Sequence, residues 1–203
     1  MNKSQVAADI LAHALPLVPF EGWNQQTLKK AAVHAGYKKI DVVRVFPGGA
    51  IDAAEAFILS TDAAMLEALA HQPLATMKIR ERIAAAVRLR LELLAPHREA
   101  VRRMLTLLAN PLYAHRALKS LYKTVDAMWY AAGDASTDFN FYSKRLLLAG
   151  VYSSTLLYWL DDKSPDHKDT WAFLDRRIAD VMRIEKAKHQ IKSWLSHPAK
   201  HVA

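Results

Sequence analysis

Residues 126–158 read DAMWYAAGDASTDFNFYSKRLLLAGVYSSTLLY, and the fold class turns on this stretch. It opens on a helical pattern, breaks at Gly133-Asp134 and restarts near Thr137-Asp138. The restarted pattern carries the apolar run Leu146 to Leu160, broken only by small and hydroxyl residues. Rings crowd the break: Trp129, Tyr130, Phe139, Phe141 and Tyr142, flanked by Asp126, Asp134, Asp138, Lys144 and Arg145. Connecting segments are ordinarily solvated. A corner so rich in rings therefore either folds inward or is held ready for a partner, and composition leaves both open.

The Leu146–Leu160 helix is apolar nearly all round, which predicts a place in the middle of a helical bundle. Ala149, Gly150, Ser153 and Ser154 leave room beside it. That room serves close helix packing or one wall of a ligand cavity between helices. The run is shorter than the ~20 residues a membrane span requires.

Helical periodicity extends outward in both directions. Towards the N-terminus, Val6–Leu17 reads as a helix closed by Pro16 and Pro19. Asn24 caps a second helix that leaves at Gly36, and a third covers about Lys39 to Phe46 before Pro47-Gly48-Gly49. Three short helices with a tight turn at 35–37 form the pattern of a helix-turn-helix unit. Ala50–Leu69 is a fourth helix. Met77–Leu94 is a fifth, with Ile79, Ile83, Val87, Leu91 and Leu94 inward and Arg80, Arg82, Arg88 and Arg90 elsewhere. A sixth follows Pro96. Asn110-Pro111 opens a seventh, carrying Leu112, Leu118, Leu121, Tyr122, Val125 and Trp129.

Beyond the apolar helix, Asp161-Asp162-Lys163 reads as a solvated turn. Ser164 then caps a helix striped by Trp171, Leu174, Ile178 and Val181. In the segment 184–195, Ile184, Ile191, Trp194 and Leu195 share a face opposite Lys186, Lys188 and Lys192. Such a basic amphipathic helix either docks on the bundle or lies on an anionic bilayer.

The bulk composition agrees with an all-α chain. Hydrophobic residues make up 52%, with only 6 Gly and 8 Pro, too few turn-formers for an all-β fold. Cysteine is absent, which removes disulfides and thiolate chemistry. The net charge of +8 is uneven, with eleven basic against three acidic residues between 76 and 123. A basic balance admits nucleic acid or an anionic membrane as partner without choosing between them.

No motif argues for catalysis. No Glu stands three residues before a His, as di-iron bundles require. The His197/His201 pair lies beside Pro198 in the tail, and neither a phosphate loop nor a nucleophile elbow is present. Asp138 is better explained as a helix cap than as a general acid or base. No metal and no cofactor is expected.

The first forty-odd residues resemble the DNA-binding head of the tetracycline-repressor family through Thr27-Leu28, Ala31-Ala32, Ala35-Gly36 and Val42–Pro47. That family usually places a phosphate-contacting Tyr where Val43 stands, so the likeness favours the fold over DNA binding. A regulator that binds DNA is the competing reading.

Two further motifs, MWYAAGDASTDFNFYSKR (128–145) and SPDHKDTWAFLDRR (164–177), resemble the coenzyme Q biosynthesis accessory family. Its members are lipid-binding proteins with a tetracycline-repressor-like fold. The resemblance runs from Gly22-Trp23 to the tail and is strongest over Asp126–Arg145.

It implies a non-catalytic factor that holds an isoprenoid quinone or phospholipid and presents quinone intermediates to the demethoxyubiquinone hydroxylase. It implies a partner patch of Asp126, Met128, Asp138, Phe141, Tyr142 and Arg145. Phe141 replaces the family's usual Trp, keeping a ring but losing the indole N–H. The expected lipid cavity is lined by Trp129, Leu146, Gly150, Ser153, Ser154 and Leu157. The membrane-binding helix would use Ile184, Lys188, Ile191, Lys192, Trp194 and Leu195. A homodimer is implied. The N-terminus has no Arg-rich transit character, so a bacterial member on the cytoplasmic face of the inner membrane is expected. The expected division is a helix-turn-helix-like head (1–49), a helical lipid-binding domain (50–183) and an amphipathic helix with tail (184–203).

Overall fold

The computed structural model describes the backbone of residues 2–134 and 139–196, and the side chains of 2–134 and 141–183. Among the described residues all regular structure is helical. The chain divides into two compact units, 1–136 and 137–203. The boundary expected near residue 49 falls inside the first unit, and residues 183 and 184 lie within one helix.

The first unit begins with α1 (Lys3–Ala14) and α2 (Val18–Glu21), then α3 (Gln25–His34) and α4 (Lys39–Val45). The first helix ends before Pro16, and Pro19 sits in the first turn of α2, where its missing N–H is harmless. Asn24 caps α3 by accepting from the N–H groups of Gln26 (2.9 Å) and Thr27 (3.0 Å). Gly36 leaves α3 at φ +80°, and the Tyr37 N–H reaches back to the Ala32 carbonyl, as the sequence predicts. Ile10, Ala14, Leu28, Ala31, Ala32 and Val42 are buried, and α1 packs on both α3 and α4.

The rest of the unit is α5 (Ala50–Ala70), α6 (Ile79–Leu94), α7 (Arg98–Leu108) and α8 (Ala114–Ala131). Helices α5, α6 and α8 pack mutually around Met65, Leu69, Val87, Leu91, Leu94, Val125 and Met128. Trp23 joins the short helices to this bundle. Its indole N–H donates to the Ala100 carbonyl (2.9 Å), and its ring lies 6.1 Å from that of Phe57. Phe57 in turn meets His97 edge-on, and burial holds that imidazole below its ordinary pKa.

Three expectations from periodicity are corrected here. Arg90, read as lying off the packed face, is buried and pairs with Asp62 of α5 at 2.8 Å. Thr124 of α8 donates to the same carboxylate (2.9 Å), so one acid ties three helices together. Leu118 and Tyr122, part of the apolar periodicity read along α8, face outward, as does Leu112 in the turn before it, and the buried row of α8 is Ser120, Thr124, Val125 and Met128. Ile79 is half exposed at the start of α6, because its turn precedes the packed part of the helix.

The second unit is a helical hairpin of α9 (Phe139–Asp161) and α10 (Lys168–Ser196), which pack on each other. Asp162, expected in a solvated turn, is buried at the corner. Its carboxylate accepts from the Ser164 N–H (2.7 Å), the Thr170 N–H (3.0 Å) and the Thr170 hydroxyl. Burial alone would raise its pKa. The hydrogen bonds from Thr170 and Ser164 outweigh that and hold it well below the ordinary carboxylate range. Ser164, expected to cap the next helix, makes no side-chain capping bond to the Pro165–His167 turn; its Oγ instead accepts from the Asp169 N–H (3.1 Å), in the first turn of α10.

Asp166 and His167 both lie at positive φ (52° and 55°). The turn is retained because the Trp171 indole donates to the Asp166 carbonyl (2.8 Å) and the His167 ring meets Trp159 and Trp171.

Candidate functional site

The expected partner patch is divided between the units. In the first, α8 ends at a Schellman-type turn. Gly133 has φ +82°, its N–H donates to the Tyr130 carbonyl, and the Asp134 N–H donates to the Trp129 carbonyl. Arg82 of α6 holds this end from the side. Its Nη1 donates to the Ala132 carbonyl (2.9 Å), and its Nε to the Met77 carbonyl (3.0 Å). A cation at a helix C-terminus is favourable against the negative end of the dipole. Sequence reading missed Arg82, because nothing in the spacing marks a contact fifty positions away.

Around this turn, Asp126 and Trp129 are half-buried and Tyr130 is exposed. Met128 has 0% exposure. That corrects its place in the patch: the thioether belongs to the core and offers no surface to a partner. Asp138 lies outside the described residues.

In the second unit, Phe141, Tyr142 and Arg145 are brought together on the first turns of α9. The Arg145 guanidinium lies 3.3 Å from the centroid of the Phe141 ring, and its Nη1 donates to the Phe141 carbonyl (3.1 Å). Phe141 and Tyr142 meet edge-on at 5.2 Å. Arg145 is itself buried, so it corrects the expectation of a surface contact. It holds Phe141 in place, while Tyr142, 66% exposed, is the outward group.

The expected cavity wall is corrected too. Arg145, Leu148, Val151, Tyr152, Thr155, Leu156 and Trp159 form the buried side of α9. Leu146 is 76% exposed and Leu157 59% exposed. Gly150 is exposed, and a Cβ added there would meet nothing within 4 Å. Ser153 and Ser154 are half-buried, and the Ser154 hydroxyl donates to the Gly150 carbonyl (2.7 Å). At 3.6 residues per turn Tyr142, Leu146, Gly150, Ser153 and Leu157 share one face. They form an open apolar row rather than the wall of an enclosed hollow. A helix with apolar side chains on every side carries no phase, so residue order does not say which side is left uncovered.

The backbone of α10 continues as helix through Ser196, so the terminal segment extends the preceding helix without a break. The side chains of Ile184, Lys188, Ile191, Lys192, Trp194 and Leu195 lie outside those described. No helix among the described residues is long and apolar enough to cross a membrane.

On the short helices, Val43 of α4 is exposed beside Lys39 and Ile40. Arg44 is engaged with Asp41 at 3.1 Å. The outward face of α4 thus offers one free-standing basic group and two aliphatic ones, a poor set for reading base edges.

These features define an all-α protein with the tetracycline-repressor fold. A TetR transcriptional regulator from Nitrosomonas europaea superposes with a TM-score of 0.70, covering 86% of this chain and 97% of that one at 20% identity. At that identity the likeness concerns fold only.

The chain belongs to the COQ9 family. The family model matches residues 114–185, from the start of α8 through α9 and into α10. The COQ9-B ubiquinone biosynthesis protein of Xenopus laevis is 32% identical, with 95% of this chain and 68% of that protein aligned. The mitochondrial COQ9 of Rattus norvegicus is 34% identical over 95% of this chain and 64% of its own length. The probable coq9 of Dictyostelium discoideum is 32% identical over 90% and 62%. The chain thus spans a little under two thirds of the length of several curated relatives it matches.

Proposed function

We infer that this chain is a non-catalytic accessory factor of ubiquinone biosynthesis. It binds an isoprenoid quinone intermediate or a phospholipid at a membrane surface and presents quinone intermediates to the demethoxyubiquinone hydroxylase. The observation that carries the reading is the open row Leu146, Gly150 and Leu157 on α9, with Tyr142 at its N-terminal end. Contiguous apolar surface left facing water marks a ligand or partner site. An extended prenyl chain matches a row one side chain wide with a glycine gap in its middle. Tyr142 stands one helical turn from Leu146, so a partner seated on Tyr142 meets the lipid where the row begins.

The kinship with ubiquinone biosynthesis proteins supports the pathway. Residues 184–195 supply the membrane contact in this reading: four apolar side chains of one face enter the interface while three lysines meet anionic headgroups. The protein works peripherally on the cytoplasmic face of an inner membrane, as a homodimer. A second outward apolar pair, Leu118 and Tyr122 on α8, is available for self-association.

The test is organic extraction and mass spectrometry of natively purified protein. An isoprenoid quinone or phospholipid is expected from the wild type and a severalfold smaller yield from Leu146→Asp/Leu157→Asp. A lipid-free wild type, or equal yields from a folded variant, removes the reading. Tight operator-like DNA binding in a gel shift would favour the regulator instead.

A further inference from the structure

Where α5 packs on the N-terminal half of α8, the first unit carries a hollow of about 200 Å3. Glu55 and Leu59 of α5 form one side, and α8 forms the other through His115, Arg116, Lys119, Ser120 and Lys123. His115, Lys119 and Lys123 recur at every fourth position, so they stand one above another along the helix.

The acids nearest the hollow are already engaged. Arg116 Nε donates to Glu55 (2.8 Å), and its Nη2 reaches both Glu55 and Asp52. The hydrogen bonds it donates to Glu55 and then Asp52 push its pKa above the ordinary arginine value, so this guanidinium remains a fixed cation locked to two acids. Among the described residues no carboxylate pairs with Lys119 or Lys123. Two ammonium groups one turn apart on a helix repel each other. The fold nevertheless holds both on the rim of one hollow, with the Ser120 side chain, 8% exposed, between them.

We propose that this hollow binds an oxyanion of the phosphate class. An oxyanion seated there cancels the repulsion and takes charge-assisted hydrogen bonds from two ammonium groups, with the Ser120 hydroxyl and the His115 ring as further donors. Several donors arranged around a small volume suit a tetrahedral oxyanion better than a two-oxygen carboxylate. Pockets that enclose whole drug-sized ligands run to roughly 300–1,000 Å3, so this one takes a head group and leaves any attached chain outside. Leu59, half exposed at the margin, is the one apolar group such a chain would meet. The phosphate comes either from an anionic lipid or from a soluble phosphate compound.

The experiment has two arms on the full chain. In one, amide NMR shifts are followed during titration with inorganic phosphate at constant ionic strength. In the other, sedimentation is measured with phosphatidylglycerol and with phosphatidylcholine vesicles. Both are repeated for Lys119→Gln/Lys123→Gln and for a charge-matched control, Lys29→Gln/Lys39→Gln. Saturable shifts confined to residues 115–123 that weaken at least tenfold in the first variant assign a soluble phosphate. A tenfold loss of phosphatidylglycerol binding in the first variant alone, with no phosphate response, assigns the lipid head group. If neither arm changes in the first variant, or the control loses as much, the proposal is overturned. A thermal melt of each variant confirms that folded proteins are compared.

Discussion

Arg145 stacks its guanidinium on the ring of Phe141, 3.3 Å from the centroid, and donates to the same residue's carbonyl. A single buried cation thereby fixes the ring against which Tyr142, at the start of the exposed side of α9, is set edge-on. Desolvated cation–π contacts contribute about 2 kcal/mol, and a charge-assisted hydrogen bond about 1.5–3 kcal/mol. Arg145→Ala is expected to lower stability by about 2–4 kcal/mol in urea unfolding. Arg145→Lys is expected to recover less than half, since an ammonium has no planar face to lay on the ring.

Asp62, Arg90 and Thr124 form a buried polar link across α5, α6 and α8. Removing one charge leaves its partner uncompensated, at about 3–5 kcal/mol. Asp62→Ala should therefore unfold at markedly lower denaturant. Asp62→Leu/Arg90→Met, which removes both charges and keeps volume, should lie much nearer the wild type. Equal loss in the two variants would mean that packing, not charge, dominates.

Asp162 gives the hairpin an acid-sensitive corner. Its carboxyl titrates lower when folded than its ordinary value of 3.8. The unfolded chain therefore takes up the proton first as pH falls. The stabilisation is present above that ordinary value and is lost as pH drops below it. Asp162→Asn should flatten the acid limb of a stability–pH curve while leaving the neutral-to-alkaline limb parallel to the wild type.

Gly133 combines φ +82° with an Arg82 Nη1 that would stand 3.1 Å from an added Cβ. Gly133→Ala forces both a left-handed alanine and a shift of the Arg82 clamp. A loss of about 1–2 kcal/mol is expected in thermal unfolding. Arg82→Gln alone should cost less, because the turn keeps its own backbone bonds.

Tyr142 is exposed, and among the described residues its one ring contact is the edge contact with Phe141. Tyr142→Ala should change stability by no more than about 0.5 kcal/mol. The proposed function requires it to weaken association with the hydroxylase in a pull-down by a large factor. Undiminished capture would remove Tyr142 from the partner surface.

The helical class, the capped α3 with its Gly36 exit, the break at Gly133 and the family kinship were all readable from residue order. They depend on local chemistry: a side-chain cap, a glycine at positive φ, a period of 3.6. What residue order left open was the phase of each helix against its neighbours. Arg90 read as lying off the packed face and Asp162 as part of a solvated turn, yet the fold buries both. Met128 and Arg145 read as surface until packing drew them inside, and Leu146 and Leu157 read as interior although they face out. Burial is decided by which other helix covers a given side, as where Asp62 of α5 meets Arg90 of α6, 28 positions away. Only the folded chain brings such residues together.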